Sequence, residues 1–209
     1  MKEYVILGYD PSLGSLLDII FAQGNQLKKI VCQHPQTTQL SQSYLSVTIE
    51  SLETFVPEPD DIYLSGLLGK KAMIFYQQLI DKMIISFDTL IHPNSLISLT
   101  AQLSPGSTIS AGAIVASSVA IGKNCFVGQG AILGHDTILD NYAVVQSGAK
   151  LAGHVRVGEG ATVGMGATII EDVSIGDGAK VEPGAVVLKD IPAQTVVSGV
   201  PAVVIEAIG

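Results

Sequence analysis

From Ile91 to Val187 every sixth residue is aliphatic, and the phase never slips. The series runs through Ile97, Leu103, Ile109, Val115, Ile121, Val127, Leu133 and Leu139 to Val145, Leu151, Val157, Val163, Ile169, Ile175 and Val181. Four residues after these positions stand small or β-branched side chains, among them Ala113, Cys125, Ala131, Thr137, Ala149, Ala161 and Ala179. A period of six fits neither a helix nor a simple alternating strand. It fits a short strand and a turn, repeated, with the aliphatic residue inward and the small one beside a corner. Glycine directly follows the aliphatic position at Gly122, Gly128, Gly134, Gly158, Gly164 and Gly176. Turn glycines of this kind are expected to supply unusual backbone angles. The spacing therefore predicts a parallel β-helix of hexapeptides over residues 91–209. Three hexapeptides make one triangular coil, so residues eighteen apart stack at about 4.8 Å. An uninterrupted phase of this length excludes a merely Ala/Gly/Val-rich segment.

Residues 1–90 follow a different pattern. Glu3–Leu7 reads as an apolar strand, followed by a turn over Gly8–Gly14. Ser15–Gln23 reads as a helix that buries Leu16, Leu17, Ile19 and Ile20. Leu27–Cys32, Ser43–Ile49 and Asp61–Leu64 read as further strands, and Lys70–Lys82 as a second helix. Strands alternating with helices predict a small Rossmann-like α/β unit with a parallel sheet. The boundary falls near Phe87–Pro93, where the hexapeptide phase begins. Ser198–Ala202 breaks that phase and is expected to close the solenoid.

Composition sharpens this division. Of the eleven aromatic residues of the 209-residue chain, nine lie in residues 1–90, whereas seventeen of the 22 glycines lie in residues 91–209. A core with only Phe126 and Tyr142 as rings must be built from Val, Ile, Leu and Ala. The net charge of -8 gives no global footprint for nucleic acid or for an anionic membrane. No apolar run is long enough to span a bilayer, and Met1-Lys2-Glu3 does not open a signal peptide. Cys32 and Cys125 lie in different halves, so a disulfide framework is not expected and a reducing cytoplasm fits.

Several features occur together: an α/β unit, Ile91-His92-Pro93, the solenoid, Gly130-Ala131-Ile132-Leu133-Gly134-His135-Asp136, and Gly199-Val200-Pro201-Ala202. This combination resembles the sugar O/N-acyltransferases of the PglD/NeuD type. The resemblance implies a left-handed β-helix that assembles as a homotrimer. It places acetyl-CoA, the acyl donor, in clefts between neighbouring subunits, and a nucleotide-linked amino sugar partly on the α/β unit.

Amine acylation from a thioester needs a base and a means of steadying the oxyanion. His135 stands in a turn of its hexapeptide, where a side chain can reach outward, and Asp136 follows it. His135 is the candidate general base and Asp136 the group that raises its basicity; a solvated turn histidine is the alternative. Gly153 is eighteen residues on and keeps the rim low beside His135, while His154 falls almost above Asp136 as an exposed turn residue. By the resemblance, Gly153, Met165 and Pro183 are candidates for backbone contacts to the pantetheine of CoA. Val144 stands where the family carries a second histidine facing the acyl carbonyl, and Gly128 where it often carries Asn. Val144 cannot donate a side-chain hydrogen bond, so oxyanion stabilisation would fall to backbone amides. Lys150, Arg156, Lys180 and Lys189 are possible partners of the CoA phosphates, with solvated surface as the alternative.

Gly8, Tyr9, Asp10 and Ser12 occupy the place of the family's Gly-x-Gly-Gly-His loop and are the acceptor-binding candidates. Only the first glycine is kept, Asp10 would repel a phosphate, and Gln33-His34-Pro35 replaces the acidic run expected after the second strand. His92, held extended before Pro93, reads as structural, and Cys125 as a buried, inert thiol. A zinc hydratase on the same solenoid would need three converging histidines, and His135 and His154 lack a third. No metal cofactor is expected. The functional alternative is a non-catalytic trimeric scaffold or ligand-binding protein.

Overall fold

The computed structural model describes residues 1–8, 13–33, 47–80 and 86–208. The first unit runs β1 (Glu3–Leu7), α1 (Leu13–Ala22), β2 (Gln26–Cys32), β3 (Thr48–Ser51), β4 (Ile62–Ser65) and α2 (Gly69–Ile80). Its four strands are all parallel, in the order β3-β2-β1-β4. Tyr4, Val5, Ile6 and Leu7 of β1 are all buried, as a strand covered on both faces requires. Ile6 joins Leu16, Leu17, Ile19 and Ile20 of α1 on one side, the four helix residues expected inside. Val5 and Leu7 join Tyr63, Phe75, Tyr76 and Phe87 on the other. Of the expected strand Ser43–Ile49, residues 43–46 lie outside the described residues, as do residues 81 and 82 at the end of the expected second helix.

The buried Tyr76 ring carries a hydroxyl that the sheet must satisfy. It donates to the Leu7 carbonyl at 2.7 Å, accepts from the Gly66 N–H at 3.1 Å, and lies 3.0 Å from Ser65 Oγ. Burial pushes the Tyr76 hydroxyl pKa well above its ordinary value.

The second unit is a parallel β-helix of seventeen two-residue strands, from β5 (Leu90–Ile91) to β21 (Val186–Val187). Within the solenoid, strands pair at a spacing of eighteen residues, as Leu133 does with Val115 and Leu151. The strands form three sheets of five, six and six members, and a closing hairpin brings one of the latter to eight. The eight-stranded sheet is extended by β22 (Thr195–Gly199), parallel to β20 (Lys180–Val181), and by β23 (Ala202–Ala207), antiparallel to β22. This hairpin closes the end of the solenoid where the hexapeptide phase breaks.

The interior takes two residues from each repeat, the aliphatic one and the small one four positions later. Every sixth residue from Gly106 to Gly184 is left-handed, with φ between 53° and 81°. That requirement explains why glycine, Asn and Asp recur there. The glycines directly after the aliphatic positions serve another purpose, which the sequence reading did not separate. A Cβ on Gly134 would lie 2.5 Å from the Ala152 carbonyl carbon of the next coil. Close stacking of backbone, with no positive φ, demands glycine at that position.

The α/β unit sits on the eight-stranded sheet. Outward residues Thr108, Phe126 and Val144 of that sheet are only 5%, 6% and 3% exposed, whereas outward Ile114 and Ile138 on the other sheets are 37% and 38% exposed. Leu90 packs into the core of the α/β unit while β5 pairs with β8 (Thr108–Ile109) of the solenoid. Gln129 Nε2 donates to Ser15 Oγ of α1 at 2.8 Å, and Ser147 Oγ donates to Gln129 Oε1 at 2.7 Å.

Candidate active site

His135 and Asp136 lie at the corner between β12 (Ile132–Leu133) and β13 (Ile138–Leu139). Asp136 and His154 above it are both left-handed, with φ 56° and 57°. Their amides climb the corner as a ladder: Asp136 N–H donates to the Ser117 carbonyl at 3.0 Å and His154 N–H to the His135 carbonyl at 2.9 Å. The corner is therefore fixed by backbone, and its side chains radiate from it.

The His135 imidazole meets Asp136 Oδ2 through Nδ1 at 2.9 Å. A carboxylate can only accept, so Nδ1 carries the proton and the lone pair lies on Nε2. The ring lies against Gly153, where any Cβ would collide with it. Beyond that gap Glu171 places Oε1 3.9 Å from Nε2. His154 packs edge-on, with ring centroids 5.0 Å apart. Half of the His135 side chain stays open to solvent. The corner can thus present an imidazole base to a ligand from outside.

The remaining candidates are elsewhere on the same chain. Met165 is exposed at the next corner, between β17 (Thr162–Val163) and β18 (Thr168–Ile169), and Pro183 follows at the same corner. The Met165 N–H donates to Gln146 Oε1 at 3.1 Å, and its carbonyl accepts from Gly184 at 2.8 Å. The six-stranded sheet separates this corner from His135. Val144 is outward on the eight-stranded sheet and buried beneath the start of α2. The structure thus brings together His135, Asp136, Gly153 and His154, and leaves Val144, Met165 and Pro183 on other sides of the prism.

At the loop expected to bind the acceptor, the Gly8 N–H donates to the Val31 carbonyl at 2.7 Å. A side chain on Gly8 would run into Leu67. Tyr9, Asp10 and Ser12 lie outside the described residues, as do His34 and Pro35. Cys125 is buried, and burial pushes its thiol up to about 12. No disulfide joins the two cysteines. His92 Nδ1 accepts the Asn94 N–H at 3.0 Å, a local turn contact. Lys150 and Lys180 are exposed, and Arg156 is held by Asp140 through two hydrogen bonds of 3.0 and 2.9 Å.

A cavity of about 540 Å³ lies where the α/β unit stops covering the eight-stranded sheet. Val144, Thr162, Lys180, Lys70, Lys71 and the first turn of α2 line it. The sequence reading missed Lys70 and Lys71, although large apolar residues at outward positions, Phe126 and Val144, already marked a covered sheet. A groove of about 570 Å³ on the five-stranded face, around Asp140 and Arg156, contains none of the histidines.

Residues 118–150 match the family described as hexapeptide repeat of succinyl-transferase, and residues 154–189 match bacterial transferase hexapeptide (six repeats). No curated protein sequence matches the chain significantly. Among solved structures, PerB from Caulobacter crescentus in complex with CoA and GDP-perosamine is similar, with 25% identity and a TM-score of 0.84 over 98% of this chain and 97% of that one. The acetyltransferase domain of PglB from Neisseria gonorrhoeae, in complex with acetyl coenzyme A, shares the fold at 24% identity and a TM-score of 0.86, over 97% and 98% of the two chains. AntD, an N-acyltransferase from Bacillus cereus, shares it at 16% identity and a TM-score of 0.56, over 58% of this chain and 80% of its own. The two repeat models and the likeness to PerB support a hexapeptide-repeat sugar acyltransferase, and the other two structures share its fold. Among the described residues no helix is long and apolar enough to cross a membrane.

Proposed function

We propose that this chain, built on the bacterial-transferase hexapeptide repeat, is an acetyl-CoA-dependent acetyltransferase whose acceptor is the amine of a nucleotide-linked amino sugar. The His135–Asp136 pair carries the reading: a fixed carboxylate 2.9 Å from Nδ1 leaves Nε2 as a base at an open corner. The likeness to PerB, which holds CoA and GDP-perosamine, supports the substrate class.

In the reaction, the acceptor nitrogen attacks the thioester carbonyl while Nε2 of His135 takes its proton. The C–N bond forms, the tetrahedral oxyanion collapses, and the C–S bond breaks. The proton passes from the imidazolium to the departing sulfur, which leaves as the CoA thiol. Asp136 stabilises the imidazolium. Val144 offers no side-chain donor, so backbone amides steady the oxyanion.

One chain holds the His135 corner and the Met165–Pro183 corner on opposite edges of the six-stranded sheet. A homotrimer would set one subunit's His135 against a neighbour's Met165 and Pro183, with Gly153 bordering the CoA cleft. The α/β unit, docked beside that second corner through Ser15 and Gln129, would deliver the acceptor there.

The test is thiol release from acetyl-CoA with a panel of GDP-, UDP- and dTDP-linked amino sugars. Turnover with at least one acceptor is expected, with a loss of roughly 10²–10⁴-fold in His135→Asn. Undiminished turnover in that variant would remove His135 as the base. A second reading, a non-catalytic trimeric scaffold, is favoured by the Gly8 amide, which is already committed to Val31. It would be chosen if a trimeric chain binds CoA yet releases no thiol with any acceptor.

A further inference from the structure

We infer that the corner formed by His135, Asp136 and His154 is a binding site for a borderline divalent transition metal, zinc above all, and that the bound ion blocks the base. His135, Asp136 and His154 each offer one ligand atom, and these atoms all lie within 4.8 Å of one another. A tetrahedral zinc with bonds of about 2.0 Å holds its ligand atoms roughly 3.3 Å apart. The three side chains are exposed, so small rotations close that difference without disturbing the backbone ladder beneath them.

The donor set selects the class of ion. Two imidazoles and a carboxylate suit zinc, nickel or copper and disfavour magnesium or calcium, which take oxygen ligands. Glu171, 3.9 Å from His135 Nε2 across the Gly153 gap, adds a second negative charge near this corner. Gly153 leaves the room: any side chain there would collide with the His135 ring. His135 faces Asp136 through Nδ1, so an ion on that nitrogen would move its proton to Nε2 and leave no lone pair to abstract the acceptor proton. That blocking effect rests on the reading of His135 as the base, whereas the binding itself does not.

The experiment is calorimetric titration of zinc into the full chain in metal-free buffer, with cobalt absorption as a readout of tetrahedral coordination. His154→Asn and Asp136→Asn keep a residue that tolerates the left-handed backbone of these positions. His92→Asn, at the domain junction, is the control. One zinc per chain is expected, bound at least tenfold more weakly in both corner variants and unchanged in the control. Equal affinity in His154→Asn, or no uptake with zinc in excess, overturns the site. Zinc bound as described with acetyl transfer undiminished leaves the site standing and overturns the blocked base.

Discussion

Each buried residue of the solenoid core has the same kind of neighbour above and below it, whereas each buried residue of the α/β unit has neighbours of its own. Leu133 stacks between Val115 and Leu151, and its environment repeats every eighteen residues. Tyr76 instead meets Phe75 and Phe87 through ring contacts and ties its hydroxyl to Leu7 and Gly66. One region spreads its stability over many similar contacts; the other concentrates it in a few specific ones. Damage to a stacked repeat should act in proportion to the volume removed, and damage to the α/β core should act through the groups left unpaired.

The largest effect is expected from Leu133→Ala, a cavity in the solenoid interior, at roughly 2–5 kcal/mol by chemical denaturation. A cost under about 1 kcal/mol would show that the stack collapses around a gap and would weaken the contrast. Tyr76→Phe retains the ring and removes only the hydroxyl, and should cost about 0.5–1.5 kcal/mol, because the bonds of the hydroxyl are lost while the Gly66 N–H still donates to the Leu7 carbonyl at 2.8 Å. A neutral result would mean that the α/β core is held by ring packing alone.

Asp88 gives a smaller and pH-dependent effect at the seam between the regions. Burial works against its charge, yet bonds from Lys2 at 2.7 Å, Tyr4 at 2.9 Å and the Thr89 amide hold the carboxyl below the usual range. Its folded pKa is thus below the unfolded one. The stabilisation is present above the ordinary Asp value and is lost as pH falls through the lower folded value. Asp88→Asn should cost about 0.5–1 kcal/mol at neutral pH and nothing once the wild-type carboxyl is protonated, read as a urea midpoint against pH. A cost independent of pH would point to packing instead.

The smallest change in stability, within about 0.5 kcal/mol, is expected for Gly153→Ala, because the displaced group is a flexible, half-exposed imidazole. Activity should nevertheless fall, since the His135 ring must leave its place beside Asp136. Full activity would show that this ring position is not the working one.

The same contrast explains what the amino-acid sequence discloses. The solenoid is legible because each residue's role is settled within its own hexapeptide and repeated without a slip. His135 and Asp136 could be singled out because a turn position in a known repeat points outward. The α/β unit was legible as alternating elements, but its edges shifted by a residue or more, as in Asp61–Leu64 against Ile62–Ser65. The cavity with Lys70 and Lys71 was hidden because it depends on how α2 settles over the eight-stranded sheet. No local pattern encodes that placement, although Phe126 and Val144 carry its trace. The role of Gly134 was misassigned to turn geometry because spacing alone does not distinguish a twisted backbone from a crowded one.

The eighteen-residue stacking period has a consequence for how this architecture can change length. Removing a single hexapeptide would keep every aliphatic residue inward, yet carry each later corner one side further around the prism. If the cut fell before His135, the imidazole would turn away from the edge where it now stands, relative to the docked α/β unit. Whole coils can be added or lost with the orientation of the site preserved; thirds of a coil cannot, so the geometry counts in eighteens although the sequence counts in sixes.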